Sequence, residues 1–301
     1  MKHFICGSTL LPFLLIWVPA QASVSHGSYP TAPAFVEKFE DVNPAGNSYD
    51  TPSVDWIKKT AEQGYPDAKT QLGWMYHSGT GVAQDDHQAA MWYEQAAAQH
   101  DAAAMLNLAI MHDYGEGMPV SHAKALQWLN GAVEQDYPAA LYYLAMKYER
   151  GFGLKADMKQ AMPLYQKAAV LAYPGAQNAL GWFYYEGKLL PQNNQLAFEW
   201  FKKAAEQKYP RALFNLAGMY HNGIAVQKNT EMAMQYYRQA AELGNDDAQF
   251  ILAESYMYGE DGLPQDDQQA FYWFRQAAEK DHAPAQARVG WFYISGIGVQ
   301  K

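Results

Sequence analysis

Cysteine is almost missing from this chain: of 301 residues only Cys6 carries a thiol, so a disulfide framework is excluded as the source of stability. Long apolar runs are missing beyond the first residues, because Gln, Asp, Lys and Glu interrupt every later segment and leave none suited to cross a membrane. Positive charge is scarce, with 22 Lys and Arg against 31 Asp and Glu and a formal net charge of −9. That balance argues against nucleic acid or an anionic membrane as partner. The phosphate-cradling G-x-x-x-x-G-K, the nucleophile elbow G-x-S-x-G and the zinc motif H-E-x-x-H are all absent. Nine histidines are scattered without a recognised metal spacing, and neither metal nor cofactor is expected. Aromatic side chains are plentiful, at 15% of the sequence, and a core without disulfides has to be built from them.

The first residues read as a targeting segment. Lys2 gives a short positive start, Phe4 to Val18 is largely apolar, and Ala20-Gln21-Ala22 is a small-x-small cleavage pattern. A secretory signal peptide over 1–22, cut after Ala22, is expected, which makes the mature protein periplasmic or secreted. An apolar stretch of about 15 residues is short for an anchor, which needs roughly 20. Cys6 falls inside this segment, in the wrong context for a lipoprotein site. Removing Lys2, the only formally charged residue before Ser23, takes the net charge from −9 to −10. Residues 23–49 are rich in Ser, Pro, Gly and Asn and read as a flexible linker, a spacer or a partner-binding peptide.

From residue 50 the sequence repeats itself. Leu72, Leu108, Leu144, Leu180, Leu216 and Leu252 are each 36 apart, and similar strings surround them: AKTQLGWMYHSGTGV from Ala68, AQNALGWFYYEGKLL from Ala176, AQARVGWFYISGIGV from Ala285. A sustained period of this length means stacked helix-turn-helix units, a right-handed α-solenoid in an all-α fold. Ala68, Leu72 and Tyr76, like Ala176, Leu180 and Tyr184, share one face of a first helix. Gly79, Gly115, Gly151, Gly187, Gly223, Gly259 and Gly296 sit where a helix needs a left-handed C-cap. Asp85, Ser121, Asp157, Asn193, Asn229 and Asp266 are N-cap residues for a second helix, with Gln88, Gln160 and Gln269 at capping-box spacing. Ala89, Trp92 and Ala96 give that helix its stripe, the small residues allowing close approach and the aromatic filling the gap between repeats. One extra residue in the loop at 259–263 shifts later landmarks to a spacing of 37.

The solenoid is placed at 50–301: a lone second helix at 50–63 capping the N-terminal end, six repeats over 67–282, and a terminal half repeat over 283–301. Because solenoids normally end in a polar cap, the final half repeat is expected to be a docking face, open to homo-association through this uncapped C-terminal end, or the mark of a truncated reading frame.

The string A-x-x-x-L-G-x-x-Y-x-x-G-x-G-V followed by D-x-x-x-A-x-x-W-Y-x-x-A-A resembles the Sel-1-like repeat family, relatives of tetratricopeptide repeats with a longer glycine-containing loop. The resemblance covers 50–301. Leu189 and Ala225 depart from it at the second loop glycine, and Leu164 at the second-helix aromatic. It implies an adaptor that assembles other proteins, with a concave groove lined by the first helices. That groove maps to positions two before and two, five and six after each Leu, a stripe continuous on one helix face.

The stripe holds Trp74, His77, Leu106, Ile110, Tyr114, Tyr142, Met146, Trp182, Tyr185, Phe214, His221, Phe250, Glu254, Tyr258 and Trp291, with Asp113, Glu149, Arg150 and Glu186 interleaving charge. Ordinary packing between repeats is one reading of it. The other is a groove from Tyr142 to Phe250 for an extended peptide or a helix, anchored by aromatics. The partner-binding candidates are Trp74, Tyr142, Met146, Trp182, Tyr185, Phe214, Phe250 and Tyr258.

Ser121-His122-Ala123-Lys124 matches the S-x-x-K of penicillin-recognising enzymes, and some cysteine-rich members of the resembling family are linked with penicillin binding. Yet S-D-N and K-T-G are absent, and Ser121 stands in the N-cap column. Asp85-Asp86 and Asp266-Asp267 lie at helix starts, where the dipole favours negative charge over glycosidase chemistry. The expected function is therefore an exported, non-catalytic scaffold for a protein or peptide partner. The rival is a cell-wall glycan binder or hydrolase accessory whose aromatics stack on sugar rings, with a β-lactamase-like activity the more distant alternative.

Overall fold

A computed structural model describes residues 53–297; the signal peptide and the linker fall outside the described residues. Among these, fourteen helices and no strand occur. A lone helix, α1 (Val54–Glu62), comes first. Pairs follow: α2 (Pro66–Ser78) with α3 (Asp86–Ala97), α4 (Ala102–Tyr114) with α5 (His122–Glu134), α6 (Pro138–Arg150) with α7 (Met158–Val170). Then come α8 (Pro174–Glu186) with α9 (Asn194–Glu206), α10 (Pro210–Asn222) with α11 (Thr230–Glu242), α12 (Asp246–Tyr258) with α13 (Asp267–Ala278), and α14 (Ala283–Ser295). This is an all-helical solenoid fold with a repeat of about 36 residues.

Local chemistry explains the boundaries. The glycine after each first helix takes φ between 68° and 77°, the left-handed conformation that ends a helix at least cost for a residue without Cβ. All six N-cap side chains accept backbone N–H bonds from the first turn of the second helix: Asp85 from His87 and Gln88, for example, and Asn193 from Leu196. The reciprocal half of the capping box is not made. The cap N–H instead donates to a carbonyl of the preceding first helix, Asp85 to Tyr76 at 2.8 Å, Asn193 to Tyr184 at 2.9 Å and Asp266 to Tyr256 at 2.9 Å. This bond spans nine residues in five repeats and ten in the sixth, so the loop swells around the insertion while the anchor stays.

Packing follows the small residues. The two stripe alanines of every second helix, from Ala89 and Ala96 to Ala270 and Ala277, are completely buried, which lets first and second helices close on one another. The gap is not filled by the Trp92 column, whose members stay half-buried. The next residue does it: Tyr93, Leu129, Tyr165, Phe201, Tyr237 and Phe274 are buried, each worth about 1.5–3 kcal/mol of apolar transfer. Close approach requires glycine at Gly73 and Gly181, where a Cβ would lie 2.7 Å from the Tyr93 and Phe201 rings respectively.

The described residues form two compact units, 53–176 and 177–297. The first is built on a core around Leu108, Leu129 and Tyr143, with a smaller cluster around Ile57 and Leu72. The second is built around Phe201, Leu216 and Tyr237, continuing to Phe274 and Phe292.

Candidate functional site

In the unit of residues 53–176, the first-helix stripe is discontinuous. Trp74, Tyr142 and Met146 are half-buried and keep part of their surface, whereas Leu106 and Ile110 have turned into the core. Tyr142 packs on Tyr165 and Tyr173, with ring centroids 5.7 and 5.0 Å apart. Tyr114 is exposed and lies 5.4 Å from Phe152, which in turn meets the His122 ring edge-on at 5.1 Å.

Asp113 is not a groove charge. Its carboxylate is fully buried and accepts from His122 Nδ1 at 2.7 Å and Tyr143 Oη at 2.9 Å, and it pairs with the ammonium of buried Lys147. The Lys147 Nζ also sits 4.7 Å from the centre of the Phe152 ring. Burial pulls the Lys147 pKa down against the opposing pull of Asp113, while burial and the Asp113 charge push the Tyr143 hydroxyl up. A network satisfied on every side fixes how α4, α5 and α6 meet; it presents no reactive group outward.

In the unit of residues 177–297, the stripe is richer. Trp182, Tyr185, Phe214 and Phe250 are half-buried and Tyr258 is 51% exposed. Trp182 lies against Tyr185 at 5.5 Å, Phe214 against Tyr237 at 5.6 Å, and Phe250 against Phe274 at 5.4 Å and His282 at 4.9 Å. Each ring is thus steadied by a neighbour while part of it stays accessible. Glu254 pairs with Arg288 at 3.0 Å, and α14 exposes Trp291, Tyr293 and Ile294. An open depression of about 790 Å³ on the second-helix side is lined by residues such as Met234, Arg238 and Leu263 and by no member of the stripe.

Ser121 caps its helix, accepting from the Lys124 N–H at 3.4 Å. Among the described residues no group of three or more His, Cys, Asp or Glu could hold a metal ion, and no helix is long and apolar enough to cross a membrane.

A model of the Sel1 repeat matches seven consecutive stretches, residues 66–101, 102–137, 138–170, 174–209, 210–245, 246–282 and 283–301. The chain belongs to the Sel1 repeat family. A Sel1 repeat protein from Oxalobacter formigenes is similar at 27% identity and a TM-score of 0.65, over 82% of this chain and 95% of that one. A second similar structure is c5321, a protective antigen present in uropathogenic Escherichia coli strains, at 28% identity and a TM-score of 0.50, over 88% of this chain and 68% of that one. The immunity protein PA5088 from Pseudomonas aeruginosa, at 23% identity and a TM-score of 0.52 over 81% and 86% of the two chains, shares the fold. No curated protein matches the chain. Sel1 repeat proteins are generally non-catalytic scaffolds and commonly serve protein interaction.

Within the Sel1 frame, sequence reasoning overlooked one polar feature. Asn178 on α8 and Asn215 on α10 are buried, and Asn215 Nδ2 donates to Asn178 Oδ1 at 2.9 Å. The signal available was an Asn in a first-helix column that elsewhere carries Thr70, Leu106, Tyr142, Phe214 and Phe250.

Proposed function

We propose that this Sel1 repeat protein is an exported, non-catalytic scaffold that binds a protein or peptide partner on the face lined by its first helices. What supports this is the state of the stripe in residues 177–297. Trp182, Tyr185, Phe214 and Phe250 are held by neighbouring rings yet keep accessible surface, and Tyr258 is exposed. Rigid, partly exposed aromatics on ordered helices are what a binding hot spot requires. Residues serving only as packing would resemble Leu216 and Phe274, which are buried. Export rests on the Lys2-to-Ala22 pattern and is read from the mature N-terminus, expected at Ser23. Exposed Trp291, Tyr293 and Ile294 support homo-association through α14 as a second contact, which light scattering would detect.

The test is site-specific photocrosslinking in cells. A crosslinking residue at Tyr258 is expected to capture a protein adduct, and one at exposed Gln195 on the second-helix side is not. The adduct should vanish in a Trp182→Ala/Phe214→Ala variant whose circular dichroism stays helical. Equal adducts from both positions, or an adduct that survives the double variant, would remove the first-helix face as the site. Cell-wall fragments in place of protein would replace the reading with glycan recognition.

A further inference from the structure

The seam between α8 and α10 contains a polar pair whose hydrogen-bonding capacity is not used up. Asn178 is 8% and Asn215 7% exposed, so both residues are more than nine-tenths buried. At the matching seam positions of other repeats stand Leu106 with Tyr143, and Phe214 with Ile251. A carboxamide offers two N–H donors and a carbonyl with two lone pairs. The pair makes one bond between its members, and no other hydrogen bond of either side chain occurs among the described residues. Whichever way the two amides are turned, one NH2 group and one carbonyl oxygen are left over. Neither is among the buried atoms sealed away from the surface.

The surroundings are those of a floor between rings. Trp182 lies one turn on from Asn178 on the same helix face, and Phe214 precedes Asn215. One turn on from Asn215 is Gly218, which leaves the column empty of a side chain where α8 has Trp182 and α12 has Glu254. An apolar partner surface laid here would strand a donor and an acceptor. A partner that brings one of each, side by side, satisfies both. In an extended chain the N–H and C=O of a single residue point the same way, as they do when strands exchange both bonds.

We infer that Asn178 and Asn215 recognise the main chain of an extended peptide segment crossing the α8–α10 seam. One peptide carbonyl accepts from the free amide NH2, the N–H of the same residue donates to the free carboxamide oxygen, and the flanking side chains rest on Trp182 and Phe214. This rests on the protein-binding reading above and adds to it the backbone conformation that is read.

The probe is a dodecapeptide selected from a random display library on the full folded chain. It is then synthesised with each amide in turn replaced by an ester, which removes one N–H donor without changing a side chain. One ester position is expected to weaken binding by roughly fivefold or more. Against the near-isosteric Asn178→Leu/Asn215→Leu variant the same ester should weaken nothing further, and the parent peptide should bind at least tenfold more weakly. In the wild-type protein the side-chain amide resonances of Asn178 and Asn215 should shift on peptide addition, a readout independent of whether the variant folds. A selected peptide with a flat ester scan, or with both resonances unmoved, overturns the main-chain inference and leaves the protein-binding reading standing. Failure to select any peptide overturns both.

Discussion

Breaking the Asp113–Lys147 pair by either partner alone should cost far more than removing both. The two side chains are 0% and 1% exposed, so water cannot compensate a charge left behind. Lys147→Met keeps an unbranched chain against Phe152 but strands a carboxylate that retains the Tyr143 and His122 donors. About 3 kcal/mol is expected, the lower end of the range for a broken buried pair. Asp113→Leu strands an ammonium whose remaining partners are the faces of Phe152 and Tyr143; cation–π attraction of about 2 kcal/mol replaces little, and a loss of about 4–5 kcal/mol follows. The double variant has no charge to solvate and loses only the bonds of Tyr143 and His122, about 1–3 kcal/mol. The coupling is therefore expected to exceed about 3 kcal/mol. Urea denaturation of the four proteins, followed by tryptophan fluorescence and circular dichroism, measures it. A pH series adds a sign. Burial lowers the Lys147 pKa, so the penalty of charging it is present below its folded pKa and relieved as pH rises toward the ordinary lysine value of 10.5. Asp113→Leu should recover stability along that rise and Lys147→Met should not. Single variants costing under about 1 kcal/mol, or a cycle that is additive, would refute the claim that this network is closed to water.

Two further outcomes follow from the backbone and from the buried phenols. Ala225 takes φ 61°, the conformation that the second loop glycine supplies elsewhere. Ala225→Gly should raise stability by about 1 kcal/mol, visible as a higher urea midpoint at unchanged slope; a lower midpoint would mean that the methyl group packs. Burial pushes the hydroxyls of Tyr93, Tyr143, Tyr165 and Tyr237 up from 10.0. The folded chain then holds protons that the unfolded chain releases. Stability is fully present below pH 10 and should fall above it by about 1.4 kcal/mol per pH unit for each tyrosine, about 5.5 kcal/mol for the four together. Tyrosinate absorbance should rise in step with loss of helix, and ionisation of these four in a still-helical protein would contradict the burial.

Most of the fold was legible because each structural instruction is written six or seven times. The N-cap column, the αL glycine and the paired alanines each recur at fixed spacing, so a departure such as Leu164 or Ala225 is outvoted by its equivalents. Where the reading went astray, the cause was a single residue's neighbours. The repeat pattern points to the Trp92 column as the gap-filling aromatic, yet the second helix turns the next position, Tyr93 to Phe274, into the core. Gln88, Gln160 and Gln269 have capping-box spacing, but the N–H they would accept from is already bonded to the first helix. Asp113 shares a column with Glu149 and two histidines, and only the arrival of His122, Tyr143 and Lys147 from two other helices buries it.

The site is harder to read for a reason built into repeat architecture. A column that holds the solenoid together must satisfy the same contact in every unit, so it keeps one residue type and announces itself by period. The column two before each Leu keeps no single residue type, and it runs Thr70, Leu106, Tyr142, Asn178, Phe214, Phe250. Its aromatic members each pack on the second helix of their own repeat, Tyr142 on Tyr165, Phe214 on Tyr237 and Phe250 on Phe274, beside paired alanines that do not vary. On the proposed reading, recognition resides where the period fails. Asn178 occurs once, pairs with a residue 37 positions away, and carries meaning only when α8 and α10 are side by side. A search for repetition finds the scaffold and, for the same reason, passes over the residues that distinguish one Sel1 repeat from the next.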